Sequence, residues 1–442
     1  MAIAWRRRDL HALFAAKIEP GRRQYYADKI RHLRIIYLES MDERLQTLSF
    51  RKLESVRIGV PSDEEALPST EAWVHSLLGP SLRSLVLRSE EMIPPDLPVS
   101  LANLCPGLET LRINLREDDP SSVLMLVEIV EALPRLRELK VESRLHPPTS
   151  TSTERKLCSP LALSHLESLE FGGIIPDLAP TSSQFPRLRL LHGEATLPTL
   201  LRIGMVMPQL AHLDLLLPPR YVTEPPTLVI APLRSLVNLE SLTLRVQGDA
   251  PLESKDLEAL GRFRNLSRLE IGAKGGGKRR VAAPDFTDET LCRILLCLPR
   301  LEYLELRLRH PSGGQALLTL VKHCPKLRVV VMPGHYDLAL FFSLPQQPAV
   351  PDLVTLCVAS LFFGHARPGY LISRTEFRMI HEVLAQHAPK LSYTSFVDPW
   401  WEIGKRLNAT LRKGWDALCG CGELGEGHKQ IDHICEPEDS RD

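Results

Sequence analysis

The chain has 442 residues, 44% of them apolar and 24% charged, an ordinary globular composition with ample material for a continuous core. Its 54 basic and 54 acidic side chains balance, so no global field draws it to nucleic acid or to an anionic membrane. No apolar run reaches the roughly 18 residues a membrane helix needs, and nine cysteines at irregular spacing fit reduced thiols in a cytoplasmic or nuclear protein better than a disulfide framework.

Residues 1–24 begin with an arginine-rich, weakly amphipathic stretch. Arg6-Arg7-Arg8 and Asp9 interrupt it, against a secretory leader, and residues 1–17 hold no serine, against a mitochondrial presequence. The segment reads as a helix or cap at the head of a longer array. A phrase, Leu-x-x-Leu-x-Leu, then recurs along the chain. It stands as Leu82-Arg-Ser-Leu-Val-Leu87, Leu108-Glu-Thr-Leu-Arg-Ile113, Leu136-Arg-Glu-Leu-Lys-Val141 and Leu166-Glu-Ser-Leu-Glu-Phe171. It returns as Leu210-Ala-His-Leu-Asp-Leu215, Leu239-Glu-Ser-Leu-Thr-Leu244, Leu266-Ser-Arg-Leu-Glu-Ile271 and Leu301-Glu-Tyr-Leu-Glu-Leu306. Weaker copies begin at Leu53, Leu188, Leu327, Leu353 and Leu391. From Leu82 to Leu353 the anchors step by 22 to 35 residues. Self-similarity at this period means stacked supersecondary units, and the phrase is that of a leucine-rich repeat. The expected fold is α/β: an irregular leucine-rich-repeat solenoid over residues 25–418, a horseshoe with a concave parallel sheet and convex helices. Each unit touches only its neighbours, so the array counts as one elongated domain.

Within each unit the sequence predicts a short strand, a turn and an amphipathic helix. Prolines precede many anchors by two positions (Pro106, Pro134, Pro186, Pro208, Pro299, Pro325, Pro351), where a fixed φ suits the turn into the strand. Helices are predicted over 121–133, 287–298, 313–324 and 375–387, from apolar residues at helical spacing; in the second, either Thr287 or Thr290 serves as cap. Insertions at 144–155, 218–226, 272–284 and 334–349 are rich in Pro, Gly, Ser or Thr and read as surface loops. Regular repeats carry Asn or Cys three positions after the second strand leucine; Glu90, Arg116, Arg144, Pro218, Gln247 and Arg309 stand there instead, so the array should be irregular. A helix at 403–418 would cap the last repeat, and residues 419–442 read as a disordered acidic tail.

The uneven repeat length, with Pro-x-Leu or Pro-x-x-Leu leading into many strands, resembles fungal F-box proteins with a degenerate leucine-rich-repeat region. Tyr25-Tyr-Ala-Asp-Lys-Ile-Arg-His-Leu-Arg-Ile35 is similar to that family's first strand. His387-Ala-Pro-Lys-Leu-Ser-Tyr-Thr-Ser-Phe-Val397, with Trp400-Trp401 behind it, is similar to its closing strand and tryptophan. The resemblance implies a protein substrate held on the repeats, with a Skp-type adaptor and a cullin recruited through the F-box. Ala4-Trp-Arg-Arg-Arg-Asp-Leu-His-Ala-Leu-Phe14 matches at most the last helix of such a module. Adaptor and cullin are therefore expected only if an F-box lies upstream of Met1; the alternative is that the module was lost.

Catalytic chemistry is hard to place. Gly272-Ala-Lys-Gly-Gly-Gly-Lys278 has the glycine and lysine spacing of a phosphate loop, but Arg279 replaces the Ser or Thr that would hold magnesium, and Val281-Ala-Ala-Pro284 is a poor helix start. It reads as a basic loop between repeats. His381-Glu-Val-Leu-Ala385 lacks the second histidine of a zinc helix. Cys419, Cys421, His428, His433 and Cys435 cluster near the end, but the Cys-x-Cys spacing is tight for structural zinc, and a tail with reduced thiols is preferred. No catalytic, cofactor-binding or metal-binding residue is assigned, and no cofactor.

Strand side chains alternate, so the residues between the leucines should line the concave face. Those positions hold Arg57, Arg88 and Arg112 early, then Glu138, Lys140, Glu142, Glu170, Glu194, His212 and Asp214, and finally Arg245, Arg268, Glu270, Tyr303, Glu305 and Arg307. The expectation is an acidic centre between arginine-bearing ends, suited to a protein or peptide with a basic segment, with Arg and Tyr as anchors. The function read from the sequence is a non-enzymatic recognition scaffold, the substrate-binding repeat region of an SCF-type ubiquitin-ligase receptor. The alternative is a stand-alone repeat protein with no ubiquitin role. Partners are a protein or peptide, not nucleic acid or membrane.

Overall fold

A computed structural model describes residues 18–35, 48–59, 70–88, 96–114, 121–142, 165–175, 185–217, 229–247, 251–274, 280–309, 314–344, 348–362 and 374–396. The chain divides into two compact units, Met1–Leu210 and Ala211–Asp442.

In the first unit the leucine phrases become strands β1 (His32–Ile35), β2 (Ser55–Ile58), β3 (Ser84–Leu87), β4 (Thr110–Ile113), β5 (Glu138–Val141), β6 (Ser168–Ile174) and β7 (Leu190–Glu194). They pair in chain order, all parallel. The register is one to one, so Leu33, Val56, Leu85, Leu111, Leu139, Leu169 and Leu191 form a continuous row. Every member of that row is buried, as period-two alternation requires of a strand with one covered face. Helix α1 (Pro20–Ala27) precedes β1, α2 (Thr70–Leu77), α3 (Leu97–Leu104) and α4 (Ser121–Ala132) run between strands, and α5 (Leu197–Val206) follows β7. Tyr25 to Ala27, expected at the head of the first strand, are helical, and the strand starts only at His32. Pro at the helix start presets φ and sacrifices only an orphan N–H, which lets Pro20 nucleate α1 there.

The second unit repeats the pattern with β8 (His212–Leu217), β9 (Ser241–Val246), β10 (Arg268–Ala273), β12 (Tyr303–Leu306), β14 (Val329–Asp337), β15 (Thr355–Phe362) and β16 (Tyr393–Phe396), parallel in that order. Two short strands, β11 (Val281–Ala282) and β13 (Leu308–Arg309), pair in a separate ribbon. Helices α6 (Ser254–Glu258), α7 (Asp288–Leu296), α8 (Gly314–His323) and α9 (Arg374–His387) complete the unit, the last three close to their predicted spans. Thr287 is the cap of α7, its Oγ1 accepting the Thr290 N–H at 3.2 Å. Each unit is thus an α/β leucine-rich-repeat solenoid.

One turn recurs before nearly every strand. The first leucine of the phrase donates its N–H to the carbonyl three residues back, as in Leu108 to Cys105 at 3.0 Å, Leu136 to Leu133 at 3.1 Å, Leu301 to Leu298 at 3.2 Å and Leu391 to Ala388 at 3.0 Å. Pro106, Pro134, Pro299 and Pro389 occupy the second position of those turns, the one whose φ proline presets. The next two N–H groups then share one carbonyl of the preceding repeat: Glu109 and Thr110 on Arg83, Arg137 and Glu138 on Glu109, Glu302 and Tyr303 on Ser267. This lashing fixes strand phase and explains why the register holds despite unequal repeat lengths.

Two of the expected loops carry regular structure over part of their described residues. Residues 334–337 extend β14, Tyr336 is fully buried, and Leu338 and Phe341 follow it into the core through a 3₁₀ turn, Leu338–Ser343. In the 272–284 segment, Gly272 and Ala273 finish β10, Val281 opens the β11–β13 ribbon, and Val281 and Ala283 are buried. Glycine and proline flanks suggested loops, but the apolar residues between them bury against neighbouring repeats. The insertions at 144–155 and 218–226, residues 1–17, Trp400-Trp401, the predicted 403–418 helix and the 419–442 tail lie outside the described residues. Irregularity takes the form of register shifts, between Glu170 and Ile174 at β6–β7 and between Met332 and His335 at β14–β15.

Candidate interaction face

The leucine rows bury one face of each sheet, and the intervening residues stand on the other, open face. Register places the expected side chains in rows: Arg57, then Val86, Arg112, Lys140, Glu170 and His192 along one line of the first unit. Arg34 heads that line opposite Arg57 and was not among the expected residues, although Leu33-Arg34-Ile35 carries the same alternation. Arg88 and Glu142 follow their strands by one residue, and Glu138 and Glu194 lie within β5 and β7. In the second unit, His212 and Asp214 lie on β8, Arg245 on β9, Arg268 and Glu270 on β10, Tyr303 and Glu305 on β12, with Arg307 just beyond.

The acidic residues are not a free anionic centre. In the first unit Glu142 pairs with Arg112 and lies 3.8 Å from Arg88 Nε, Lys140 pairs with Glu170, and Glu138 accepts the Thr110 hydroxyl at 3.3 Å. In the second unit Arg245 bridges Asp214 at 3.8 Å and Glu270 at 3.4 Å, and Arg268 meets Glu270 at 3.1 Å. The Arg268 guanidinium also lies 3.8 Å from the centre of the Tyr303 ring. Tyr303 donates its hydroxyl to Glu305 at 2.6 Å, and Arg307 Nε donates to Glu305 at 2.5 Å. Glu305 is only 7% exposed, so it organises its neighbours rather than offering itself to a partner. Burial, the Glu305 hydrogen bond and the Glu305 charge all push the Tyr303 phenol well above its usual range, so Tyr303 stays a neutral donor.

This face can therefore present rigid, half-buried aromatic and guanidinium groups held by a hydrogen-bonded network, the side-chain types that anchor protein interfaces. The sequence showed most of the charged residues that share the face; it did not show which charges cancel. Cys105 and Cys324 are buried, which pushes their thiols up to about 11 and about 12 and makes them inert core side chains. Among the described residues no three His, Cys, Asp or Glu side chains converge to hold a metal ion, and no helix is long and apolar enough to cross a membrane. The Cys419–Cys435 cluster lies outside the described residues, and a strand, Val281–Ala282, rather than a helix follows the glycine-rich 272–278 segment.

No protein family's sequence profile matches the chain, and no curated protein matches it. Among solved structures, the chain is similar to an internalin from Listeria monocytogenes, at 12% identity over 81% of this chain and 94% of that one, with a TM-score of 0.43. It is also similar to a leucine-rich-repeat protein of Leptospira interrogans, at 15% identity over 85% and 98%, TM-score 0.40. A third is a chain of the yeast Rad7–Elc1 complex, at 14% identity over 89% and 87%, TM-score 0.39.

Proposed function

We propose that the chain is a non-enzymatic recognition scaffold that holds a protein or peptide on its open sheet faces. More specifically, we read it as the substrate-binding repeat region of an SCF-type ubiquitin-ligase receptor acting in the cytoplasm or nucleus. The observation that carries the scaffold reading is the ordered display of charged and aromatic side chains from in-register strands, above all Arg268, Tyr303 and Arg307 held by Glu270 and Glu305. Groups fixed before binding lose little freedom on association, which favours a preformed interface. Repeats supply extended surface rather than a convergent pocket, which speaks against catalysis. The ligase reading draws its support from the resemblance at the first and closing strands.

The test is mass spectrometry of the natively expressed protein, purified through a C-terminal tag. Adaptor and cullin peptides are the expected result for the ligase reading, and peptides from upstream of Met1 would locate the F-box. A native start at Met1 with neither partner bound would overturn it and leave a stand-alone scaffold. Replacing Glu138, Glu170 and Glu194 by lysine should change which proteins co-purify; an unchanged set would remove the centre of the first unit's face from recognition.

A further inference from the structure

The open face of Met1–Leu210 has a second feature, one that the network of ion pairs absorbs only in part. Arg34 and Arg57 are direct register partners on β1 and β2. Arg57 and Arg112 flank Val86 on either side of β3, and Arg88 follows β3, its N–H bonded to the Ile58 carbonyl at 3.0 Å. Four guanidinium groups thus stand on or just after four consecutive strands, and adjacent strands lie only about 4.8 Å apart. Among the described residues Glu142 is the one carboxylate that reaches the group, through Arg112 and Arg88. Among the described residues Arg34 and Arg57 form no ion pair; the charge of Glu142 is felt at Arg57 without direct contact. Burial, then the charges of Arg88, Arg34 and Arg112, outweigh the opposing charge of Glu142 and make Arg57 hold its proton less tightly than a solvated arginine does.

The second unit shows the contrast. Its face arginines, Arg245, Arg268 and Arg307, each lie against a carboxylate. Like charges facing one another across strands destabilise a sheet, so uncompensated arginines here are a cost that an incoming anion relieves.

We infer that this patch is a receptor for an acidic segment of a protein partner, seated on Arg34, Arg57, Arg88 and Arg112. The inference deepens the recognition reading above and rests on it. Arg57 and Arg112 are two strand spacings apart, about 10 Å, which is the reach of three residues of extended chain. Carboxylates at such a spacing meet both guanidiniums, each able to donate a forked pair of N–H bonds. Ser55 and Ser84 add hydroxyls beside the arginines, and Val86 gives a small apolar floor. The boundary of the patch selects the class of partner. On the next two strands Glu142, Lys140 and Glu170 are already paired, so the cationic run ends there and is too short to track a continuing phosphate backbone. The face positions of β1 to β4 hold no Phe, Tyr or Trp on which bases would stack.

The test is fluorescence anisotropy on the full chain with a labelled peptide of Glu residues spaced by Gly and Ser, and a matched peptide with Lys for Glu. The Glu peptide should bind, weaken steeply as salt rises, and lose roughly tenfold or more in affinity to Arg34→Glu/Arg57→Glu. Arg135→Glu, in an exposed turn, should change nothing. Arg34→Gln/Arg57→Gln guards against misfolding: it should also weaken the peptide while leaving Tm equal or higher, since it relieves repulsion. No binding at low salt, or binding by both double variants equal to that of the unsubstituted chain, overturns the inference. Tighter binding of a single-stranded oligonucleotide lost through the same substitutions would overturn it in favour of nucleic acid. If the Glu peptide fails while co-purified proteins still depend on other face residues, only this inference falls. If their capture is indifferent to every face reversal, the recognition reading falls with it.

Discussion

Asp256 ties its repeat to the one before it through backbone N–H groups. It is 1% exposed, and its carboxylate accepts N–H bonds from Val229, Ile230 and Ala231 at 2.8, 2.6 and 2.9 Å. Those donors open the 3₁₀ turn Ala231–Ser235 of the preceding repeat, so a carboxylate from one repeat caps its neighbour. Burial pushes the Asp256 carboxyl up, and the three N–H bonds pull it back. Asp256→Ala leaves these donors without their acceptor, and a loss of about 3 kcal/mol is expected in urea denaturation, with Asp256→Asn intermediate because it keeps one acceptor oxygen. A loss no larger than that of an ordinary surface substitution would mean the donors find other partners. Tyr303 offers a pH test. Its phenol is raised in the folded state, so the folded form retains a proton that the unfolded chain releases above about pH 10. That contribution is present below the unfolded pKa and declines as pH rises beyond it. Tyr303→Phe should cost about 1.5–3 kcal/mol at neutral pH through the lost bond to Glu305, and its stability should fall less on alkalisation than that of the unsubstituted protein. Parallel alkaline curves for the two proteins would contradict the assignment.

Among the elements, β7 departs most from its neighbours. Where the other strands of its unit bury Ile35, Ile58, Leu87, Ile113, Val141 and Phe171, β7 has Gly193. A Cβ there would lie 2.8 Å from Ile175 Cγ1 and 3.2 Å from Phe171 Cβ, so large side chains from β6 and the residue after it fill the place a leucine would take. Gly193→Ala should therefore destabilise by about 1–3 kcal/mol, as overpacking of a filled core does; calorimetry showing no loss would mean the β6–β7 shift adjusts freely. Leu188-Arg-Leu-Leu191 was legible as a weak repeat, but this compensation was not. It depends on Phe171 and Ile175, which no local pattern links to Gly193. Residues 334–343 are not a loop for a similar reason: Gly334 and the later prolines outweighed Tyr336, Leu338 and Phe341, whose burial needs neighbours from other repeats.

At the scale of the molecule, a solenoid's stability is a sum of repeats and nearest-neighbour contacts. Leu111 is fully buried in the middle of the first unit, and Leu111→Ala should cost about 2–5 kcal/mol. Because coupling is local, hydrogen exchange should accelerate first in the adjoining strands Ser84–Leu87 and Glu138–Val141 and last at Tyr393–Phe396. Uniform acceleration through both units would show cooperativity beyond neighbours. By itself the sequence determined the repeat, the strand phase and most of the charged residues on the open face, Arg34 being missed. Leucine spacing and the Pro-x-Leu turn act within a handful of residues, where backbone geometry leaves little choice. Only the tertiary structure decided which charges on that face cancel and which stay bare. Arg112 meets Glu142, Lys140 meets Glu170 and Arg245 meets Glu270 across 25 to 30 residues of chain, and such pairs exist only once the strands have stacked in register.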